Sequence, residues 1–253
     1  MCGRFSNTLG PEEISRQVAE RLSMRIAGAE GMQARNIAPT EDVLGIVHAG
    51  GVREARMLRW ALLPDWAADL KGRPQINARI ETVRKAGKFI GVQAEASHRA
   101  LILADEFIEW SKAERRGKSR PAPKSRPARK SRPAPFGFSV EGGRAFCFAG
   151  LWSTNERVAE TRIDSCTIIT CDARRNRLVA PLHDRMPVIF ADAELWEAWL
   201  DPSISVADAL SLCEPLGAER MTVRPLSPRY NDAREKDPEG AARAAGGEQL
   251  TLD

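Results

Sequence analysis

Six short apolar segments, each about the length of a β-strand, constrain the fold more than any other feature of this 253-residue chain. Most of their residues are β-branched or aromatic, as strands prefer. Their spacing is irregular, and helical patterns do not alternate with them one for one, as they would in a doubly wound α/β sheet. We therefore expect an α+β fold. The segments are residues 42–48, 55–63, 100–108, 144–152, 165–171 and 187–190.

Three other segments show a helical pattern, in which apolar residues recur on one face. Pro11 and the two glutamates after it suit a first helical turn, and Ser205 with Asp208 three residues later is a variant of the capping box. These patterns predict three helices. They comprise residues 11–24 with Ile14, Val18 and Leu22 on one face, residues 192–200 with Trp196, Trp199 and Leu200 on one side, and a helix from Ser205 to Cys213.

The composition, with 43% hydrophobic residues, is that of a globular protein with one large domain or two small ones. The sequence has neither an apolar run long enough for a transmembrane helix nor a secretory segment, so we expect a cytoplasmic protein with no membrane partner. The five cysteines are odd in number and form no CxxC pair, which argues against a disulfide framework or a zinc ribbon. We predict no metal and no cofactor, and we expect Cys147, Cys166 and Cys171 to be buried.

The net charge of +4 hides an uneven distribution. Residues 112–132 hold ten lysines and arginines and one acid, which leaves 28 basic and 33 acidic residues elsewhere, a net charge of −5. The general electrostatic case for nucleic-acid binding by the whole domain is therefore weak.

Two segments are predicted not to fold on their own. Residues 112–135 include the hexad KSRPAx three times, with no apolar residue beyond alanine in the repeats, and we interpret them as a basic loop inserted between two strands. This insertion either holds phosphates or is a tolerated low-complexity segment. Residues 233–253 are charged and rich in glycine and alanine, and are predicted to be a flexible tail.

Cys2 raises the main chemical question. If Met1 is removed, one residue carries an α-amine and a thiol on neighbouring carbons, with reference pKa values of about 7.7–8.0 and about 8.5. Few protein sites offer two nucleophiles so close together. The alternative is that Cys2 is an ordinary small residue near a frayed terminus.

Three further stretches place polar residues beside apolar runs: INARIET at 76–82, LADEFIEW at 103–110 and PLHDRMP at 181–187. Strand alternation puts Glu109 on one face with Phe107 and Asp105. A carboxyl group directed inward there would have a raised pKa and could act as a general acid; otherwise Glu109 is a solvent-facing residue at a strand end. His183 is likewise either functional or structural.

Taken together, the motifs resemble those of the SRAP family, the SOS-response-associated or abasic-site-processing proteins. The resemblance spans residues 2–232 in order and implies a single domain built on a curved, barrel-like antiparallel β-sheet with flanking helices. The motifs are MCGRF, RNIAP at 35–39, RWALLPDWA at 59–67, NARIET at 77–82, ADEFIEW at 104–110, FAGLW at 148–152, IITCDA at 168–173, HDRMP at 183–187 and SPRYN at 227–231.

The resemblance implies covalent chemistry on abasic sites in single-stranded DNA. The α-amine of Cys2 would form a Schiff base with the sugar aldehyde, and its thiol would close a thiazolidine ring. Glu109 resembles the family's acid that opens the sugar, His183 the residue that shuttles protons near the sugar and the 3′ phosphate, and Asn77 the amide that hydrogen-bonds the linkage. Weak lyase activity, crosslink reversal and self-directed peptidase activity are also implied.

The resemblance also implies partners and a DNA path. We expect a monomer in a bacterial cytoplasm, associated with the nucleoid when on DNA, with replication-fork proteins as candidate partners. Arginines would clamp the flanking phosphates and an exposed aromatic ring would stack on a base. The residues implied in DNA binding are Arg4, Asn36, Pro39, Trp66, Arg79 and Arg185.

The chain departs from the family pattern at Ala61 and Glu106, where the family commonly has glycine, and by the basic insertion. Two other functions remain open. An N-terminal-nucleophile hydrolase such as a glutamine amidotransferase would use Cys2 on an amide, with no need for DNA. A non-enzymatic adaptor would bind nucleic acid through the basic insertion, and Cys2 would then be incidental.

Overall fold

The computed structural model describes residues 2–24, 26, 34–71, 74–83, 96–111 and 132–237. Four α-helices lie within these residues: α1 Pro11–Leu22, α2 Ile80–Val83, α3 Ala193–Leu200 and α4 Val206–Ser211. The strands are β1 Phe5–Asn7, β2 Ala34–Ile37, β3 Asp42–Ala49, β4 Val52–Trp60, β5 Asn77–Arg79, β6 Arg99–Ala104, β7 Glu106–Trp110, β8 Pro135–Val140, β9 Phe146–Asn155, β10 Ile163–Asp172, β11 Arg185–Pro187, β12 Ile189–Phe190 and β13 Met221–Pro225.

Five strands of the larger sheet close into a barrel. The hydrogen-bonded order runs β10, β4, β3, β6 and β9, and β9 pairs again with β10. The shorter strands β5 and β11 extend the pairing along β10, and β12 pairs with β9. Pairings in this sheet are antiparallel except where β10 meets β4 and β5. The predicted α+β fold with a barrel-like sheet is confirmed.

A second sheet, in the order β13, β8, β7, β1 and β2, packs against the barrel. Phe5 of β1 provides the junction, because its ring lies 5.0 Å from that of Trp60 and 5.3 Å from that of Phe148, both in edge-on geometry. All three rings belong to one continuous buried core. This sheet therefore brings the segment after Cys2 against the barrel wall.

The predicted helices are confirmed, with α1 burying Ile14, Val18 and Leu22 and α3 burying both tryptophans and Leu200. The Ser205 side chain accepts a hydrogen bond from the Asp208 amide as expected, although α4 ends at Ser211. The apolar run 100–108 forms two strands rather than one. Its break falls at Asp105, whose carboxylate accepts hydrogen bonds of 2.6 Å from both the amide and the hydroxyl of Thr8.

Parts of the two segments predicted not to fold lie outside the described residues, namely 112–131 and 238–253. The ends of the insertion are held together, since the Ser111 amide donates to the Ala134 carbonyl at 2.8 Å. In the C-terminal segment, Lys236 donates to Glu41 at 2.6 Å. None of the helices in the described ranges is long and apolar enough to cross a membrane.

Gly150 of β9 lies where the neighbouring strands leave little space for a side chain. A Cβ atom there would lie 3.0 Å from Ile102 and 3.1 and 3.3 Å from the backbone oxygens of Thr167 and Ala100. Because backbone atoms on both neighbouring strands cannot withdraw, we expect Gly150→Ala to lower the free energy of unfolding by about 1–3 kcal/mol, measured by urea denaturation. The control is Gly10→Ser, where a Cβ would meet nothing within 4 Å and serine is a favoured helix cap. An equal loss in both variants would contradict the packing argument.

Candidate active site around Cys2

Cys2 lies just before β1 and is fully buried. The Asn77 side-chain amide donates a hydrogen bond of 2.7 Å to the Cys2 carbonyl oxygen, and the Cys2 thiol makes a 3.8 Å contact with the carbonyl of Arg4. Two segments far apart in sequence, MCGRF and NARIET, therefore meet at one point. This position contradicts the alternative in which Cys2 belongs to a frayed end.

Glu109 lies beside Cys2 because β1 and β7 run antiparallel. Phe5 pairs with Phe107, and the Ile108 amide donates to the Arg4 carbonyl, so the chain before Arg4 runs toward Glu109. Glu109 is 5% exposed, and burial raises the pKa of its carboxyl group above the usual range. The pKa of the Cys2 thiol is raised mainly by burial and further by the charge of Glu109. Glu109 is therefore not the solvent-facing residue of the alternative interpretation.

Asn77 is positioned by the barrel. As the first residue of β5, it pairs with Ile168 of β10, and the Trp60 indole donates to the Ile76 carbonyl at 2.9 Å just before it. Its side-chain oxygen is buried and accepts no hydrogen bond from the described residues. One end of the Asn77 amide thus holds Cys2, while the other end remains able to accept a hydrogen bond.

His183 lies two residues before β11, which pairs with β10 on the side opposite to β5. Arg79 of β5 and Pro187 of β11 both pair with Thr170. Nδ1 of His183 accepts a hydrogen bond of 2.9 Å from the Arg185 backbone amide and also lies 2.9 Å from a carboxylate oxygen of Asp184. The ring is about one-third exposed. The structure thus joins Cys2, Asn77 and Glu109 directly, and relates His183 to them through β10.

Two arginines expected to clamp phosphates already have partners within the protein. Arg185 forms a two-pronged ion pair with Glu81, at 2.7 and 3.0 Å, and also donates to the Thr170 carbonyl. Hydrogen bonding from Arg185 lowers the pKa of Glu81. Arg4 donates to the Asn36 side chain at 2.5 Å and to the Tyr230 carbonyl at 3.1 Å.

The remaining residues expected along the DNA path divide into buried and exposed ones. Asn36 is fully buried and donates to the Asp232 and Glu235 carbonyls, so it fastens the C-terminal segment. Pro39 is half-buried, and Arg79 is exposed. Trp66 is 52% exposed.

The sequence reasoning missed two residues that hold this region in place. Glu81 pairs with Arg185. The sequence feature that could have marked Glu81 as part of the site is its position in the motif INARIET, four residues after Asn77. Asn155 is fully buried and donates to the carbonyls of Pro64 and Ala67, which fixes the loop carrying Trp66. No local pattern marks Asn155, because its partners lie about ninety residues away in the chain.

The two departures from the family pattern are both buried. Ala61 is 2% exposed and lies at the end of β4. Glu106 forms an ion pair with Arg224 of β13 at 2.8 Å and lies over Gly137, where a Cβ atom would collide with its carboxylate. Glu106 is thus accommodated by a glycine on β8 and an arginine on β13.

The chain matches the family model described as SOS response associated peptidase (SRAP) over residues 1–233. It therefore belongs to the SRAP family. It is 32% identical over 241 residues to the abasic site processing protein YoqW of Bacillus subtilis, covering 94% of this chain and 98% of that protein. It is 29% identical over 204 residues to the abasic site processing protein HMCES of Rattus norvegicus, covering 74% of this chain and 56% of that protein.

Solved structures support the same fold. A protein from Bacteroides thetaiotaomicron superposes with a TM-score of 0.68 at 21% identity, over 91% of this chain and 97% of that one. A phage-related protein from Bordetella bronchiseptica superposes with a TM-score of 0.65 at 24% identity, over 89% and 94% of the two chains.

The raised pKa of Glu109 predicts a pH-dependent stability. Between about pH 4.3, where an unfolded glutamate titrates, and the higher folded pKa, the folded chain binds more protons than the unfolded chain. The Glu109 contribution therefore decreases as pH rises through this interval. In urea titrations, we expect the stability of Glu109→Gln relative to wild type to increase from about pH 4 to about pH 7. The exposed-loop variant Glu160→Gln should show no such trend, and a pH-independent difference for Glu109→Gln would contradict the assignment.

Proposed function

We propose that this protein, once Met1 is removed, forms a covalent crosslink with abasic sites in single-stranded DNA through Cys2. The observation that carries the proposal is the hydrogen bond from Asn77 to the Cys2 carbonyl, which holds the residue beside the buried acid Glu109. Membership of the SRAP family and the names of the curated relatives support the same substrate. The crosslink would shield the lesion during the response to DNA damage.

The proposed reaction takes place in two steps. The α-amine of Cys2 attacks C1′ of the ring-opened deoxyribose, and loss of one water leaves a C=N double bond. The thiol then adds across that bond, with sulfur joining C1′ and its proton going to nitrogen, which closes a five-membered thiazolidine ring. Serine could form only the first product or a less stable oxygen ring, so the reaction requires cysteine at this position.

Three other residues assist these steps. Glu109, whose pKa is raised by burial, donates a proton to the sugar ring oxygen as the ring opens. Asn77 holds the Cys2 carbonyl, and its buried oxygen can accept a hydrogen bond from the α-amine or from the linkage. His183 would transfer a proton near the sugar, which would also account for a weak lyase activity by β-elimination.

Exposed groups around this site would contact the DNA strand. Arg79 lies on β5, the β-strand that begins at Asn77. Trp66 offers an aromatic face for stacking on a base. Arg4 and Arg185 already donate hydrogen bonds within the protein. They would contact phosphates only through the N–H groups that these internal bonds do not use. The protein would act as a monomer at DNA, with replication-fork proteins as candidate recruiters.

Intact-mass spectrometry tests the proposed chemistry. Purified protein lacking Met1 is incubated with a single-stranded oligonucleotide bearing one abasic site, and we expect a mass gain equal to the oligonucleotide minus one water that survives heating. Cys2→Ala should form no such adduct. Cys2→Ser keeps the amine but loses the thiol, so it should form an adduct only when borohydride traps the Schiff base. Matured wild-type protein without a stable adduct would contradict the proposal and leave amide hydrolysis as the next activity to assay.

Replacing residues 112–131 with a short Gly-Ser linker separates the crosslinking function from the adaptor alternative. Because Cys2, Asn77, Glu109 and His183 lie outside the insertion, we expect crosslink formation to persist. Non-covalent binding should become less salt-dependent, since basic residues that could neutralise phosphates have been removed. Complete loss of both binding and crosslinking in a folded variant would favour the adaptor.

A further inference from the structure

An arginine-bearing loop, residues 173–184, connects β10 to β11, and apart from His183 its residues have no role in the function proposed above. Its ends are joined by a hydrogen bond of 2.9 Å from the Ala173 amide to the Asp184 carbonyl. Arg174, Arg175 and Arg177 lie near its beginning, and all three are exposed. His183 lies at its other end. We call this segment the arginine loop.

Asn176 fixes the arginine loop in one conformation. It is 2% exposed, its side-chain oxygen accepts hydrogen bonds from the amides of Leu178 and Val179, and its side-chain nitrogen donates to the Leu216 carbonyl at 2.9 Å. Because the residue between Arg175 and Arg177 is anchored inward, these two arginines are held at the surface. A loop that is already ordered loses little conformational entropy when it binds a ligand.

The arginines of this region differ in their partners. Arg174 forms an ion pair with Asp172. Across the described ranges, no carboxylate pairs with Arg175, Arg177 or Arg79. The chain outside the basic insertion is net acidic, so exposed arginines without acidic partners represent a local positive surface.

The arginine loop follows directly from the site along β10. Since β5 and β10 are parallel, Ile168 lies opposite Asn77, Thr170 lies opposite Arg79, and β10 ends two residues later at Asp172. At about 3.3 Å per residue, β10 ends about 13 Å beyond the level of Asn77, and the loop begins at the next residue. A groove of about 560 Å³ lies here, lined among others by Glu81, Asp172, Arg174, Arg175 and Glu214.

The acids in the groove reduce its positive charge only in part. Glu81 is paired with Arg185 and Asp172 with Arg174, so each of these carboxylates is already neutralised by an arginine. Glu214 is the remaining acid among the groove residues named above. Three exposed arginines lie in or next to the groove and outnumber this one acid. They are Arg175 in the groove itself, Arg79 one residue before the groove residue Ile80, and Arg177 two residues beyond Arg175.

We infer that Arg79 and the arginine loop form a track for the phosphodiester backbone of the DNA strand whose abasic site lies at Cys2. The inference rests on the proposed function and specifies where the flanking strand runs. Guanidinium groups match phosphate oxygens geometrically, and spaced cations on a fixed loop suit a chain of phosphates without reading its sequence. The arginines of the loop would therefore contribute affinity and salt dependence, with no part in the covalent steps.

The double variant Arg175→Glu/Arg177→Glu tests this track. We expect the oligonucleotide concentration giving half-maximal crosslinking to rise by at least tenfold at low salt, while the rate at saturating oligonucleotide stays unchanged. A plot of log affinity against log salt concentration has a negative slope. We expect this slope to become less steep, by about 1 for each phosphate that the variant no longer neutralises.

The matched control is Arg16→Glu/Arg144→Glu, which changes the net charge by the same amount. Arg16 is on α1. Arg144 comes shortly after the C-terminal end of β8, whereas Glu109 pairs with Phe136 near the N-terminal end of that strand. Both are exposed, with side chains 55% and 60% accessible. We expect this control to shift half-saturation and the salt slope much less than the loop variant does.

Two outcomes would overturn the inference: equal effects of the loop and control variants, or an unchanged salt slope in the loop variant. Binding of the same variants to an oligonucleotide without an abasic site, followed by fluorescence anisotropy, tests the track independently of the covalent reaction. If wild-type protein forms no crosslink but the loop variant still binds this probe less tightly, the proposed chemistry fails while the track stands.

Discussion

Strand β10 hydrogen-bonds to four other strands, and this pairing determines where the functional segments lie. On one side it pairs first with β4 and then with β5, and on the other it pairs first with β9 and then with β11. The β9 pairing closes the barrel, while β5 and β11 carry the motifs NARIET and HDRMP. One buried strand therefore aligns β5, which begins at Asn77, with β11, which begins two residues after His183, although about a hundred residues separate the two motifs.

The second constraint is the burial of the N-terminal segment. β1 lies between β7 and β2 and inserts Phe5 into the core, which carries Cys2 to Asn77 and Glu109. Burial raises the pKa values of both the Cys2 thiol and the Glu109 carboxyl, so both favour their neutral forms.

Much of the fold could be predicted from local patterns, since apolar periodicity reports directly which residues are buried. The helix predicted over residues 11–24, which ends at Leu22, and the shared helical face of Trp196 and Trp199 followed from local patterns. The break at Asp105 could not be predicted from the apolar run around it, because it depends on hydrogen bonds from Thr8, far away in the chain. Closure of the barrel by β9 and β10 is likewise a property of strand pairing rather than of either strand.

The candidate site, like the fold, has features that the sequence determines and features that depend on the tertiary structure. The sequence by itself determined the reactive side chains available, a cysteine at position 2 with an acid, a histidine and an amide in short motifs, because side-chain type and chain position are local properties. Only the tertiary structure decided which charges remain available, since ion pairs form between residues distant in sequence. Arg185 is held by Glu81 and Arg4 by Asn36, whereas Arg79 and Arg175 face outward. Burial and long-range pairing therefore decide which of the many arginines keep their guanidinium groups exposed.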